Sequence, residues 1–151
     1  MSGRAGESFV VDGTELGIDR QRSHFHVIGA GTEEVRLDAK IVGDREIHER
    51  LTAWLPDESD AEHYARPWAW TLYPPELYIR DCPLRPAEPA GAHEGQVCIE
   101  DLDDIEVFFY ATSHHDVDDV TLRVAPEGLT VRGVVCLQGG RLPFAIFVGT
   151  E

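Results

Sequence analysis

Apolar and polar residues alternate with a period of two over much of this chain. Between Val35 and Ile41 every second side chain is apolar, and the positions between them are charged. Successive side chains of a strand point to opposite faces of its sheet, so this pattern predicts a strand with one buried and one wet face. The segment Ser23 to Ile28 is also rich in β-forming residues, and the Gly-Ala-Gly sequence after it predicts a hairpin between the two.

The last third of the chain has the pattern of consecutive short strands. Compact turn signals, Glu127-Gly128 and Gly139-Gly140, separate apolar runs, and strands joined in this way pair antiparallel. With further apolar runs at 9–11, 68–73 and 77–80, the chain is expected to hold about eight or nine strands. The strands predicted in the last third are Gln96 to Glu100, Ile105 to Thr112, Val120 to Val124, Leu129 to Leu137 and Leu142 to Val148.

One segment breaks the period of two. Ile47, Leu51 and Trp54 lie at spacings of four and three, which places them on one face of a helix. Asp44 precedes them and is a suitable N-cap. An amphipathic helix is therefore predicted over about 45 to 55, packed on the sheet through these three side chains.

A second short helix ending near Ala65 is allowed by the capping-box spacing of Ser59 and Glu62. The segment Pro83 to Gly95 contains three prolines and two glycines, which predicts a surface loop. The chain is thus expected to form a single α+β domain over 1–151, built on a mostly antiparallel sheet.

The charge of the chain is strongly negative. It carries 28 Asp and Glu residues against 13 Lys and Arg residues, a formal net charge of −15. Nucleic acid and anionic membrane surfaces are repelled by such a protein, whereas a basic partner is attracted. The alternative is that the acidity serves solubility alone.

The first residues lack the apolar core of a secretory signal, and no run of about 18 apolar residues occurs, so a cytoplasmic protein is expected.

The acidic residues concentrate in one part of the chain. From Pro86 to Leu122 there is no Lys or Arg, and ten carboxylates fall in these 37 residues. Two groups at predicted strand connections form the candidate surface for a basic partner: Glu100, Asp101, Asp103, Asp104 and Glu106, and then Asp116, Asp118 and Asp119. The strand between the groups predicts a separation of about 25 Å, so they are expected to act apart. Within the first group, Asp101, Asp103, Asp104 and Glu106 are favoured because the Pro-rich loop would lie beside them.

Two histidine segments are candidates for metal binding. His24 and His26 are two apart in a predicted strand, which places both imidazoles on one face, as in the metal sites of cupins. In cupins a Glu follows closely, whereas here Glu33 lies beyond the turn, so the cupin pattern fails. The His114–Asp119 cluster opens like a calcium loop, but Val120 stands where a ligand is required.

Motifs for catalysis and cofactor binding are not found. The chain has no G-x-S-x-G nucleophile motif and no Gly-rich phosphate loop leading into a helix, and no cofactor is predicted. The three cysteines are widely spaced, which favours free thiols in strands over disulfides or a zinc ribbon. Among the aromatic residues, Trp54 and either Trp68 or Trp70 are expected in the core between helix and sheet.

These features favour a non-enzymatic binding protein. An acidic surface that caps a basic partner is typical of an immunity or antitoxin protein that neutralises a basic toxin domain, such as a nuclease, because complementary charge speeds association and rejects wrong partners. Two alternatives stay open. One is a metal-dependent enzyme or metal-binding protein that uses His24 and His26 or the His114–Asp119 cluster. The other is a homo-oligomeric scaffold, a homodimer in the simplest case, in which the sheet pairs with another copy.

Overall fold

The structure is a computed structural model that describes residues 6–137 and 139–150. Over these residues the chain forms an 11-stranded sheet with two short α-helices. Paired strands run antiparallel throughout the described chain. The mostly antiparallel sheet with a few helices confirms the predicted class, but the strands outnumber the eight or nine expected.

Most strands follow one another through short connections, and the long connection between β4 and β5 carries both α-helices. The strands are β1 Ser8–Val11, β2 Thr14–Glu15, β3 His24–Ile28, β4 Val35–Val42, β5 Glu76–Ala87, β6 Ala92–Val97, β7 Glu106–Ala111, β8 Ser113–His115, β9 Val117–Ala125, β10 Gly128–Leu137 and β11 Gly140–Gly149. The helices are α1 Arg45–Thr52, α2 Asp60–Tyr64 and a 3₁₀ helix at Ile99–Asp103.

Strand β5 organises the sheet. The strands follow the order β2-β1-β11-β10-β9-β6-β5-β4-β3, and β7 attaches to β5 beside this path and carries β8. Along one edge of β5 runs β4, while β7 and β6 share the other edge, pairing with residues 76–80 and 85–87 respectively. Opposite Asp38 of β4 stand both Arg80 and Asp81, a bulge that increases the bend and twist of β5.

The core lies inside the curl of this sheet. Phe109 of β7 contacts Phe9 of β1 and Phe144 of β11, with ring centroids 5.7 and 5.2 Å apart and near-perpendicular edge-on geometry. Strands from opposite parts of the sheet order therefore meet through these three rings. Edge-to-face packing of this kind adds to the hydrophobic gain of burying the rings.

The expected loop from Pro83 to Gly95 is instead a hairpin of β5 and β6, with its turn at 88–91. Proline lacks an N–H and is tolerated in a strand where no ladder bond is needed. Pro83 lies between the end of β7 pairing and the start of β6 pairing, where one edge of β5 is unpaired. Gly95 permits a close approach of the strands, because a Cβ there would stand 2.8 Å from the Pro83 carbonyl oxygen.

The strand expected at Trp68 to Tyr73 is also wrong, because this segment is a hydrogen-bonded turn. Trp68 has a φ of 67°, in the left-handed region that a strand does not use. Its carbonyl accepts bonds from the Thr71 N–H at 2.9 Å and the Thr71 hydroxyl at 2.7 Å. As expected for one of the two residues, Trp68 is buried, and Trp70 packs half-buried against the core.

Helix α1 begins where predicted, and its Leu51 packs against the core as expected, but the helix is shorter and is also held by His48. Asp44 is its N-cap and accepts a bond from the Ile47 N–H, while the helix ends at Thr52 rather than near residue 55. The buried side chain of the helix is His48, whose Nε2 lies 2.7 Å from the Thr71 hydroxyl oxygen. Because the single hydroxyl proton of Thr71 goes to the Trp68 carbonyl, His48 is the donor in this bond.

Trp54 is not in the core, contrary to expectation. It follows the helix, is 51% exposed, and stacks on the buried His63 ring with centroids 3.8 Å apart. His63 belongs to α2, whose start is fixed by the predicted capping box: Ser59 and Glu62 exchange both side-chain to backbone bonds. Trp54 therefore packs on the second helix and not on the sheet.

The three-ring contact predicts a large loss of stability on truncation. Phe109→Ala should lower the free energy of unfolding by about 3 to 5 kcal/mol, because Phe109 is fully buried between two strands it does not pair with. The measurement is urea denaturation followed by circular dichroism. Leu72→Ala is the control, since Leu72 is 86% exposed and its loss should change stability by less than about 0.5 kcal/mol. Equal midpoints for the two variants would contradict the assigned core.

Candidate functional site: an acidic face

The 3₁₀ helix at Ile99–Asp103 is fixed at the end of β6 with its carboxylates outward. Asp101 accepts a bond from the Cys98 N–H at 2.7 Å, which holds the first turn. Leu102 and Ile105 pack against the core and anchor the segment from below. Glu100, Asp103 and Asp104 are exposed.

The second acidic group lies against this helix. β9 pairs with β6, so that Val120 is opposite Val97. Asp118 then reaches the helix, and its carboxylate accepts a bond from the Ile99 N–H at 2.8 Å. The expected separation of about 25 Å is therefore wrong for Asp118 and Asp119. That expectation placed β9 beside its predecessor in sequence, whereas its sheet neighbours are β6 and β10.

The two groups thus form one surface, which we call the acidic face. Its apolar member is Ile99, which is 40% exposed, precedes Glu100 in sequence and donates its N–H to the Asp118 carboxylate. One exposed apolar residue is ordinary by itself, so the distinguishing feature of this face is its density of carboxylates. The carboxylates of the acidic face are Glu100, Asp101, Asp103, Asp104, Asp118 and Asp119.

The carboxylates of this face have two different roles. Asp118 is bound by the N–H groups of Ile99 and Asp119, and these bonds, with a further one from Arg141, hold its pKa below its usual range. Asp101 likewise binds a backbone N–H. In contrast, the carboxylates of Glu100, Asp103 and Asp104 make no hydrogen bond or ion pair within the described chain. Asp101 and Asp118 therefore fix the shape of the face, and Glu100, Asp103 and Asp104 present charge that is not neutralised.

Arg141 of β11 partly offsets the charge of the face. Its guanidinium lies 3.0 Å from Asp118 and 3.4 Å from Asp119. The acidic sequence window therefore does receive a fixed positive charge, from a strand outside it. Six carboxylates against this one bridging guanidinium still leave the face strongly negative.

Two predicted members stand apart from the face. Glu106 lies on β7 and pairs across the sheet with Arg80 at 3.5 Å, and Asp116 precedes β9 and is exposed. The Pro-rich segment does not widen the face either. Its turn at 88–91 is at the opposite end of β6 from the 3₁₀ helix, about 20 Å away along the strand.

The histidine candidates are not gathered into a common site. The His24 and His26 rings stack on one exposed face of β3, with centroids 5.3 Å apart, as the spacing predicted. His114 stacks on Phe108 at the outer face of the sheet. His115 instead bonds the Ala111 carbonyl at 3.0 Å and contacts the Trp70 ring, so the two neighbours point to different faces.

One group of three potential metal ligands occurs in the described part of the chain. It consists of Cys98, Asp118 and Asp119, whose ligand atoms lie within 4.8 Å of one another. Arg141 already contacts both carboxylates, so a cation there would have to compete with a guanidinium. Burial, and then the nearby carboxylates, raise the pKa of the Cys98 thiol, which disfavours the thiolate that metals bind. All three cysteines are free, as expected.

Two members of the site were not predicted from the sequence. Ile99 was assigned to a strand, where an isoleucine is expected to be buried. Arg141 stands 22 residues beyond Asp119, and only the pairing of β9, β10 and β11 brings it to the face. A signal for Ile99 was available, because an apolar residue within a run of acidic residues has few apolar neighbours with which to pack.

Comparison with protein-family models, curated proteins and solved structures finds no match for this chain. Within the described residues, none of the helices has the length and apolar character needed to cross a membrane.

The tether between β9 and the 3₁₀ helix gives a local prediction. Asp118→Ala should speed hydrogen exchange of the Ile99 amide several-fold at neutral pH, because that N–H loses its acceptor. Asp103→Ala removes the same charge without touching the tether and should leave the exchange unchanged. NMR-detected exchange compares the two variants with the parent. Identical protection of the Ile99 amide from exchange in the parent and both variants would show that Asp118 does not position the 3₁₀ helix.

The lowered pKa of Asp118 gives a second prediction. A carboxyl with a lowered pKa stabilises the fold above its unfolded value of about 3.9, and that contribution is lost as the pH falls through the folded pKa. The NMR titration midpoint of the Asp118 carboxyl carbon should therefore lie below about 3.9. It should stay lowered in Arg141→Gln, because the backbone bonds from Ile99 and Asp119 are the larger causes. A midpoint at or above the unfolded value would contradict the tether.

Proposed function

We propose that this chain is a non-enzymatic binding protein whose acidic face caps a basic protein, as an immunity or antitoxin protein caps a toxin domain. The observation that carries the proposal is the convergence of two separate acidic segments around the exposed Ile99. A set of carboxylates used for solubility alone has no need of such convergence. Like charges brought together repel one another, and a basic partner would relieve that repulsion.

The composition of the face supports a protein partner. Ile99 supplies an exposed apolar contact on the face, and Glu100, Asp103 and Asp104 supply charges that are not paired within the described chain. Complementary charges of this kind raise the rate of encounter and reject acidic competitors. The bond from Asp118 to the Ile99 N–H holds the 3₁₀ helix in place before binding, which lowers the entropic cost of association.

An inhibitor of a basic toxin fits this surface better than a general adaptor does. A nuclease must carry cationic groups to hold the phosphates of its substrate. A surface dense in carboxylates therefore offers the same groups a competing partner of the correct sign. Fast association matters for such an inhibitor, because it must act before the toxin meets its target.

The two alternative functions, metal binding and homo-oligomerisation, would use different residues and are tested by different measurements. A metal-binding role would use Cys98, Asp118 and Asp119 or the pair His24 and His26, and bound metal would be detected by elemental analysis of protein purified without chelator. A homo-oligomer would use an exposed sheet edge such as β3, and mass measurement in solution would report it.

The test is capture of a partner followed by rate measurement. The tagged chain is purified from its own cells, associated proteins are identified, and a captured basic protein is produced alone for stopped-flow mixing. The variant Glu100→Lys, Asp103→Lys, Asp104→Lys should slow association at least about 10-fold near 0.15 M salt and flatten its salt dependence. One equivalent of the parent chain should also abolish any toxic activity of the partner.

The matched control carries three charge reversals elsewhere. Glu33→Lys, Glu34→Lys, Glu127→Lys gives the same net charge, and all three positions are exposed and distant in sequence from the face. This control should keep nearly the parental association rate. If both triple variants slow association equally, net charge and not the acidic face is responsible. If no basic protein is captured, or the partner stays active when bound, the proposal is wrong.

A further inference from the structure

A groove of about 450 Å³ lies at the end of β7 that is remote from the acidic face. One wall is formed by Leu72 and Tyr73, in the connection between α2 and β5. The other wall includes Tyr110, near the end of β7. Arg22, which precedes β3, and Arg45, the first residue of α1, complete the lining.

The walls of the groove expose three large side chains with apolar surface. Leu72 is 86% exposed, Tyr73 is 68% exposed, and Tyr110 is 40% exposed. Single exposed apolar residues are ordinary, but three large ones around one concavity form a patch of the kind that marks a binding site. A groove of this volume is also within the usual range for small-molecule sites.

The exposed loop is held in place by buried hydrogen bonds. The Thr71 hydroxyl donates to the Trp68 carbonyl and accepts from His48, each at 2.7 Å. The Gly43 N–H donates to the Pro75 carbonyl at 3.0 Å, which fixes the other end of the loop. Leu72 and Tyr73 are therefore presented on a rigid loop, and little ordering entropy remains to be lost when a ligand binds.

The charges that remain in the groove are positive. Glu76 lines the groove, but it lies 3.6 Å from the Lys40 ammonium and accepts the Tyr78 hydroxyl at 2.8 Å. Burial, together with the hydrogen bond to Glu76, raises the pKa of Tyr78 to about 12, which keeps that hydroxyl a donor. Arg45 pairs only with the exposed Glu49 of its own helix, an arrangement of small energy.

Arg22 contributes a second cation. Its guanidinium makes no ion pair or hydrogen bond with the described residues. With Glu76 neutralised by Lys40, Arg22 and Arg45 leave the groove cationic on a chain whose formal net charge is −15. The field of the whole protein repels anions, so an anion would bind only where local contacts outweigh that repulsion.

We propose that this groove binds a small organic anion with an apolar or aromatic body. The guanidinium groups of Arg22 and Arg45 would take the carboxylate, sulfonate or phosphate end, because they offer paired N–H donors to planar or tetrahedral oxyanions. Leu72, Tyr73 and Tyr110 would cover the body of the ligand. Neither part of the site suffices alone, since surface arginines bind simple anions weakly in water.

The probe is anilinonaphthalene sulfonate, an aromatic anion whose fluorescence rises in apolar surroundings, and its uncharged counterpart is phenylnaphthylamine. At neutral pH the parent chain should bind the sulfonate saturably with one site. Arg22→Gln, Arg45→Gln should weaken that binding at least about 10-fold, equivalent to about 1.4 kcal/mol, and change binding of the uncharged probe less than about 2-fold. Leu72→Ala, Tyr73→Ala should weaken both probes.

The control is Arg50→Gln, Arg132→Gln, which removes two exposed arginines outside the groove. It has the same net charge as the variant that lacks Arg22 and Arg45. It should bind both probes like the parent, and circular dichroism should show all variants folded. In NMR spectra, the sulfonate should shift the Ala111 and Thr112 amides, which line the groove. No saturable binding to the parent, or equal loss in the two arginine variants, would overturn the proposal.

Discussion

The bulge in β5 is the constraint on which the rest of the structure depends. Asp81 takes a φ of 56°, and its N–H donates to the Asp38 carboxylate at 2.7 Å, so two residues of β5 fit opposite one of β4. Asp is among the few residues that adopt this left-handed conformation at low cost. Up to the bulge β5 pairs with β7, and beyond it β5 pairs with β6. β5 thereby pairs with strands from two parts of the sheet, and these parts curl to enclose the core.

Both functional surfaces follow from this division. β6 could not pair with the end of β5 if β7 occupied the whole edge, and β6 in turn places β9 beside the 3₁₀ helix. Asp118 reaches Ile99 for that reason. On the other side, β7 pairs with the first residues of β5, so that Tyr110 stands opposite Glu76 in the groove. A sheet with simple sequential pairing would bring together neither set of residues.

The sequence predicts local structure well where one rule suffices. The alternation through β4 and the Ser59 to Glu62 capping box give the right elements because both depend on neighbours in the chain. Pairing of β9 with β6 could not be predicted, because it results from competition among distant strands. The loop at Leu72 was predicted as a strand for a related reason. Thr71 of this loop is bonded by His48, a distant side chain whose role the local apolar pattern does not reveal.

The acidic face likewise shows what the sequence predicts and what depends on the pairing of distant strands. The abundance of carboxylates was evident from composition, and six of the eight predicted partner-binding residues lie on the face. Their arrangement was not evident, because it depends on which strand lies next to the 3₁₀ helix. Arg141 illustrates the difference most clearly. It restores some positive charge to a stretch that has none in sequence, through two consecutive strand pairings.

The acidic face and the groove lie at opposite ends of β7, so their electrostatic effects are largely independent. From Asp104 to Thr112 the extended chain covers about 25 Å, whereas the Debye length near physiological salt is about 8 Å. An anion in the groove would therefore leave the charge felt by a basic partner almost unchanged. Val107 and Phe109 fix β7 in the core between the two surfaces. An effect of groove occupancy on partner association would consequently require β7 itself to shift, since neither contact nor field spans that distance.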